Sequence, residues 1–120
     1  MSVDIVGLHH VNIQVADVAA ARAFYGDVLG LPEIKRPDFD VDGLWFQLGA
    51  QQLHIGAADD HRGPDRQHFA VQVDDLDAAV ATIESRGGTV RRAGQALPGA
   101  GRQASLRDPS GNLIELNQPD

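Results

Sequence analysis

The chain carries one pattern twice within its 120 residues. Displaced by 58 residues, HVNIQVADVAAARA (His10 to Ala23) lies over HFAVQVDDLDAAVA (His68 to Ala81). Seven of the fourteen pairs are identical: His10/His68, Gln14/Gln72, Val15/Val73, Asp17/Asp75, Ala20/Ala78, Ala21/Ala79 and Ala23/Ala81. With a small gap, AQQLHIG (Ala50 to Gly56) lies over GNLIELN (Gly111 to Asn117). A unit of about 55 residues is marginal as a free-standing domain, so two copies are expected to share one core. The expectation is a single domain over 1–120, with module one at about 5–57 and module two at about 67–118. The polar stretch AADDHRGPDR (Ala57 to Arg66) then connects the halves.

Both copies read alike. Val11, Ile13 and Val15 alternate with His10, Asn12 and Gln14, the period-2 pattern of a strand with one buried face. Asp17 is a helix N-cap, and Val18, Ala21, Phe24, Tyr25 and Leu29 form an apolar stripe closed by Gly30. Strands are expected at Glu33–Arg36, Leu44–Leu48 and Gln52–Ile55, with Gly49-Ala50 as a tight turn. The second copy gives a strand at Phe69–Val73 and a helix from Asp75 towards Arg86 that ends at Gly87-Gly88. Further strands fall near Thr89–Arg92, Gln103–Arg107 and Leu113–Asn117, the last two joined by the turn DPSG. The order βαβββ, twice, makes an α+β protein.

Alternation assigns the chemistry to one face. If the apolar residues of each strand face the helices, His10, His54, His68 and Glu115 all take the opposite side. The duplication pairs His10 with His68 and His54 with Glu115, so a pseudo-two-fold draws the four towards one centre. Two or three imidazoles and a carboxylate suit a divalent first-row metal and leave positions open for substrate. His54 either ligates or lines the cavity beside the ion. His9 has the wrong parity and His61 lies in the connector, so neither is expected in the site. The same parity puts Trp45, Gln47, Gln103, Ser105 and Arg107 on the cavity face as substrate contacts, and Tyr25 in the core.

Composition narrows the classes. With no cysteine, disulfides, thiolate zinc sites and cysteine nucleophiles are excluded. Any metal must be held by nitrogen and oxygen. Seventeen acidic against ten basic residues argue against nucleic-acid or anionic-membrane binding. No apolar run approaches the roughly 20 residues of a membrane span, and no signal-like segment opens the chain, so a cytoplasmic protein is expected. The sequence contains no GxGxxG, GxxxxGK or GxSxG motif. Half of the basic residues (Arg86, Arg91, Arg92, Arg102 and Arg107) share one stretch with no acidic residue among them, a local attractor for an anionic ligand.

LHHVNIQVADVAAARAFYGDVLGL (Leu8 to Leu31), its repeat HFAVQVDDLDAAVATIESRG and the closing LRDPSGNLIEL (Leu106 to Leu116) carry a resemblance. On these residues the chain resembles the vicinal oxygen chelate superfamily, also called the glyoxalase, bleomycin-resistance and dioxygenase superfamily. The resemblance implies two βαβββ modules forming a cup-shaped, incomplete eight-stranded barrel. It implies His10, His68 and Glu115 as metal ligands, with His54 at the fourth family position. The divalent ion would be Zn, Ni, Co, Mn or Fe, the partner a small-molecule substrate with vicinal oxygens, and the assembly a homodimer with sites shared between chains. A glyoxalase I-like lyase or isomerase, with Glu115 also the catalytic base, is the leading implication. An extradiol-type dioxygenase and a fosfomycin-resistance-type transferase are alternatives, and a non-catalytic drug-binding protein of bleomycin-resistance type is a third.

Overall fold

A computed structural model describes residues 2–92 and 96–120. Two four-stranded sheets stand in one chain, ordered β1-β4-β3-β2 and β5-β8-β7-β6. The first comprises β1 (His10–Val15), β2 (Glu33–Ile34), β3 (Gly43–Leu48) and β4 (Gln51–Ala57). The second comprises β5 (His68–Gln72), β6 (Arg91–Arg92), β7 (Arg102–Arg107) and β8 (Leu113–Gln118). In each sheet the first strand pairs parallel to the last, and the other pairs are antiparallel. The duplication is therefore structural. Both sheets are open, in keeping with the expected incomplete eight-stranded barrel.

The helices follow the sequence signals closely. Asp17 caps α1 (Val18–Arg22) by accepting from the Ala20 amide at 3.0 Å, and Asp75 caps α2 (Leu76–Ser85) in the same way through Ala78 at 3.0 Å. The first helix departs from the expected single α-helix by continuing as a π-helical segment over Ala23–Val28. Within it the adjacent Phe24 and Tyr25 are both buried in the core, as the apolar stripe predicts. Strands β2 and β6 are two residues each, shorter than expected. Arg36 precedes Pro37 and lies outside β2, and its guanidinium Nη2 donates to the Val41 carbonyl at 2.8 Å.

Period-2 alternation is obeyed in the sheets. Leu44, Phe46, Leu53 and Ile55 are buried in the first module, and Ala104, Leu106, Ile114 and Leu116 in the second. They pack with Tyr25, Val80 and Ile83 from the helices into one cluster.

A hydrogen-bonded clasp joins the modules at the β7–β8 turn. The buried Asp108 carboxylate accepts from the Tyr25 hydroxyl at 2.7 Å, from the Ser110 and Asn112 amides at 2.9 Å, and from Asn112 Nδ2 at 2.8 Å. Asn112 Nδ2 also donates to the Gln14 carbonyl at 2.8 Å, and the Ala16 amide donates to Ser110 Oγ at 2.9 Å. The connector closes against the same turn so tightly that a Cβ on Gly63 would overlap the Gly111 carbonyl. DPSGN is thus more than a turn: it fixes one module against the other.

Candidate metal centre

In the second module, His68 opens β5 and Glu115 lies on the neighbouring β8. Their register (His68 opposite Leu113, Ala70 opposite Glu115) sets the two side chains diagonally on one face. His68 Nδ1 lies 2.8 Å from the Arg66 carbonyl, which can only accept, so Nδ1 carries a proton and Nε2 is the ring nitrogen that a neutral His68 could offer to a metal. Nε2 is 3.4 Å from Glu115 Oε1. Asn117 Nδ2 holds the other carboxylate oxygen, Oε2, at 3.0 Å. Two donors each about 2.1 Å from one ion are separated by roughly 3.0–3.4 Å between right-angled and tetrahedral arrangements. The observed pair falls within that span. Fixing the tautomer and the carboxylate from behind is how metal ligands are ordinarily supported.

The first module arranges its counterparts differently. Here the rings of Trp45, His54 and His10 stand face to face across β3, β4 and β1. The Trp45 and His54 centroids are 3.8 Å apart with planes 1° from parallel, and those of His54 and His10 are 4.0 Å apart at 21°. His54 is buried and its Nε2 donates to Gln52 Oε1 at 2.8 Å. Burial first, then the neighbouring His10, His9 and Arg36, holds its pKa below the usual histidine value and keeps the ring neutral. His10 Nδ1 pairs with His9 Nδ1 at 2.9 Å, so that Nδ1 is engaged here as it is in His68. His9, which parity excluded, therefore touches the site. His61, as expected, stays in the connector and bonds Asn112 Oδ1 at 3.0 Å.

The two groups do not gather into one ligand set within the chain. His68 shares a cavity with Val11 and Asn12 of β1, and His10 is not among its lining residues. Among the described residues no three His, Asp or Glu side chains gather closely enough to hold an ion. The donor set of imidazole nitrogen and carboxylate oxygen nevertheless fits a divalent first-row metal.

A cavity of about 320 Å³ adjoins the second half-site, lined by His68, Glu115, Gln103, Ser105, Arg91 and Arg92. Gln103 and Ser105 thus lie where parity placed them. Trp45 belongs to the other group, and Gln47 donates to the Gly49 and Gln51 carbonyls. Arg107 turns its guanidinium onto the Pro64, Asp65 and Gly111 carbonyls. The other arginines of the basic stretch are engaged too: Arg92 with Glu84, Arg102 with Asp77, and Arg86 with the Val28 carbonyl. Arg91 alone in that stretch has no side-chain hydrogen bond or ion pair among the described residues, and it sits opposite Ser105 on the cavity side. The charge run held that signal, but only the register singles the residue out. A larger cavity, about 450 Å³, lies on the helix side of the seam among Leu29, Leu48, Phe69 and Ile83, away from the ligating groups.

Known proteins agree with this architecture. A protein of Vibrio cholerae named "Probable lactoylglutathione lyase" is 30% identical over 121 residues, covering 91% of this chain and 88% of its own. The crystal structure of a glyoxalase family protein from Bacillus anthracis superposes with a TM-score of 0.90 at 31% identity, over 100% of both chains. A fosfomycin resistance protein, FosX, from Listeria monocytogenes, complexed with Mn(II) and a dihydroxypropylphosphonic acid, shares the fold at a TM-score of 0.82 and 21% identity, covering 97% of this chain and 94% of that one. The family model described as Glyoxalase/Bleomycin resistance protein/Dioxygenase superfamily matches residues 7–116, and the chain belongs to that superfamily.

Proposed function

We propose that the protein is a metal-dependent lyase or isomerase of glyoxalase I type, acting on a small substrate with vicinal oxygens and an anionic group. The observation that carries this reading is the His68 Nε2 and Glu115 Oε1 pair, set 3.4 Å apart with its tautomer and carboxylate fixed from behind. His68 and Glu115 would hold the ion with His10. A bound divalent ion supplies Lewis acidity towards the substrate's paired oxygens. Glu115 takes a proton from the substrate carbon beside the carbonyl and returns it to the neighbouring atom, so the isomerisation consumes none. Ser105 and Gln103 hydrogen-bond the substrate from the cavity wall, and Arg91 attracts its anionic end.

The site closes across a homodimer in this reading. Two features support a second copy: the candidate ligands do not form a three-ligand group among the described residues of one chain, and in the arm before β1 Val3, Ile5, Val6 and Leu8 are 82%, 80%, 102% and 64% exposed. The His10 and His54 group of one chain then meets the His68 and Glu115 group of the other.

Metal analysis of protein purified without chelators should find a divalent ion, with His68→Ala losing it. If neither native protein nor metal-supplemented protein binds any, the reading is wrong. Sharing is tested by mixing His10→Ala with His68→Ala protein. Each variant alone should bind no metal tightly, whereas randomly exchanged dimers regain about a quarter of the sites. No recovery after exchange would place each site within one chain. Ferrous iron with oxygen uptake on catechols would instead favour the dioxygenase reading.

A further inference from the structure

Trp45 and His54, stacked on His10 in the first module, have no place in the chemistry just described. The stacked rings are oriented for something other than shared ligation. An imidazole donates along its ring plane, so an ion bound by two imidazoles lies in both planes. The His10 and His54 planes are 21° from parallel with centroids 4.0 Å apart, and two such rings cannot both reach one ion at about 2.1 Å. His54 Nε2 is moreover turned to Gln52.

We propose that Trp45 and His54 form a stacked brace that sets the ring plane of His10, and that His54 is a positioning residue rather than a ligand. This inference rests on the reading of His10 as a metal ligand. An unsupported histidine on a strand has several χ1 wells and a broad χ2. In this chain His54 covers one face of the His10 ring, and His9 holds its Nδ1 at 2.9 Å. Nε2 is the position left to act.

The brace is itself anchored. The Trp45 plane lies within 1° of His54 at 3.8 Å, so the middle ring cannot tilt without displacing the indole. Beyond Trp45, Phe39 lies 6.1 Å away, and the Arg36 guanidinium sits 4.8 Å over Phe39. Arg36 is held in turn against Gly43, where a Cβ would reach within 3.0 Å of its Cζ. The series runs from the β2–β3 loop across three strands to His10.

The test is Co(II) titration of the whole protein, followed by the visible absorption of the bound ion. His54→Phe keeps a flat ring in the stack and removes both nitrogens. It should bind Co(II) within about threefold of the native affinity with unchanged band positions. His54→Ala and Trp45→Ala should each weaken binding about tenfold, in the range of residues that support ligands from behind, and Trp45→Phe should restore it. Circular dichroism of each variant verifies folding. Were His54 a ligand, His54→Phe would lose as much affinity as His54→Ala and its bands would shift, and the inference would be overturned. Equal affinity in all four variants would also overturn it, while leaving the metal reading intact. Native protein that binds no Co(II) would overturn both.

Discussion

The two modules share a backbone plan and differ in what they place at the same points. Register aligns His10 with His68, His54 with Glu115 and Trp45 with Ser105. In the second module these positions carry an imidazole, a carboxylate and a small hydroxyl, which leave a cavity beside the His68 and Glu115 pair. In the first they carry three flat rings that fill the space by stacking on one another. The two modules present equivalent positions, and side-chain shape leaves one set beside a cavity and packs the other into a stack. Their turns diverge in parallel. Gly49-Ala50 merely reverses the chain between β3 and β4, whereas Asp108 to Asn112, between β7 and β8, gathers the hydrogen bonds that hold the modules together.

The largest effect should come from the module that would supply two ligands in the proposed reading. Glu115→Gln should weaken metal binding by more than about 100-fold, beyond the losses typical of residues that only support ligands. His10→Ala should also lose tight binding but keep more residual affinity, because the two ligands it leaves, His68 and Glu115, stand side by side in one module. Calorimetric titration of both variants measures the difference, and equal losses would erase the asymmetry between the modules. The clasp comes next. Asp108→Ala strips the Tyr25 hydroxyl and Asn112 of a buried acceptor and should destabilise the fold by about 3 kcal/mol. A lower denaturation midpoint with an unchanged slope is the expected result.

Much of this was legible in the chain because alternation and capping are local. The duplicate at His10 to Ala23, the caps Asp17 and Asp75, and the face shared by His54 and Glu115 all follow from period and residue type alone. What escaped depends on contacts distant in sequence. Arg107 and Arg91 look equivalent in a basic run, yet one is tied to the Pro64 carbonyl and the other faces the cavity. His9 has the wrong parity for a strand residue, but it lies just before β1, where parity no longer governs its side chain. Tyr25 read correctly as core. That it is also the donor to Asp108, 83 residues away, could not be read from a helical stripe.

That same phenol offers the mildest way to separate packing from polarity in the clasp. Burial, and then the Asp108 carboxylate, pushes the Tyr25 pKa far above its ordinary 10.0. A folded-state pKa above the unfolded one means the folded chain holds its proton more tightly. The associated stability is therefore complete below pH 10.0 and declines as pH rises beyond it. Tyr25 is the single tyrosine, so phenolate absorbance should appear only as the protein unfolds at alkaline pH. Tyr25→Phe keeps the ring among Phe24 and Phe46 and leaves Asp108 its other three donors, so the cost near neutrality should be about 1 kcal/mol. Above pH 10.0 the gap between the two proteins should close, because only the native chain loses stability by ionising this group. Phenolate absorbance that develops before unfolding, with midpoint near 10, would show that the hydroxyl is not held by Asp108 in solution.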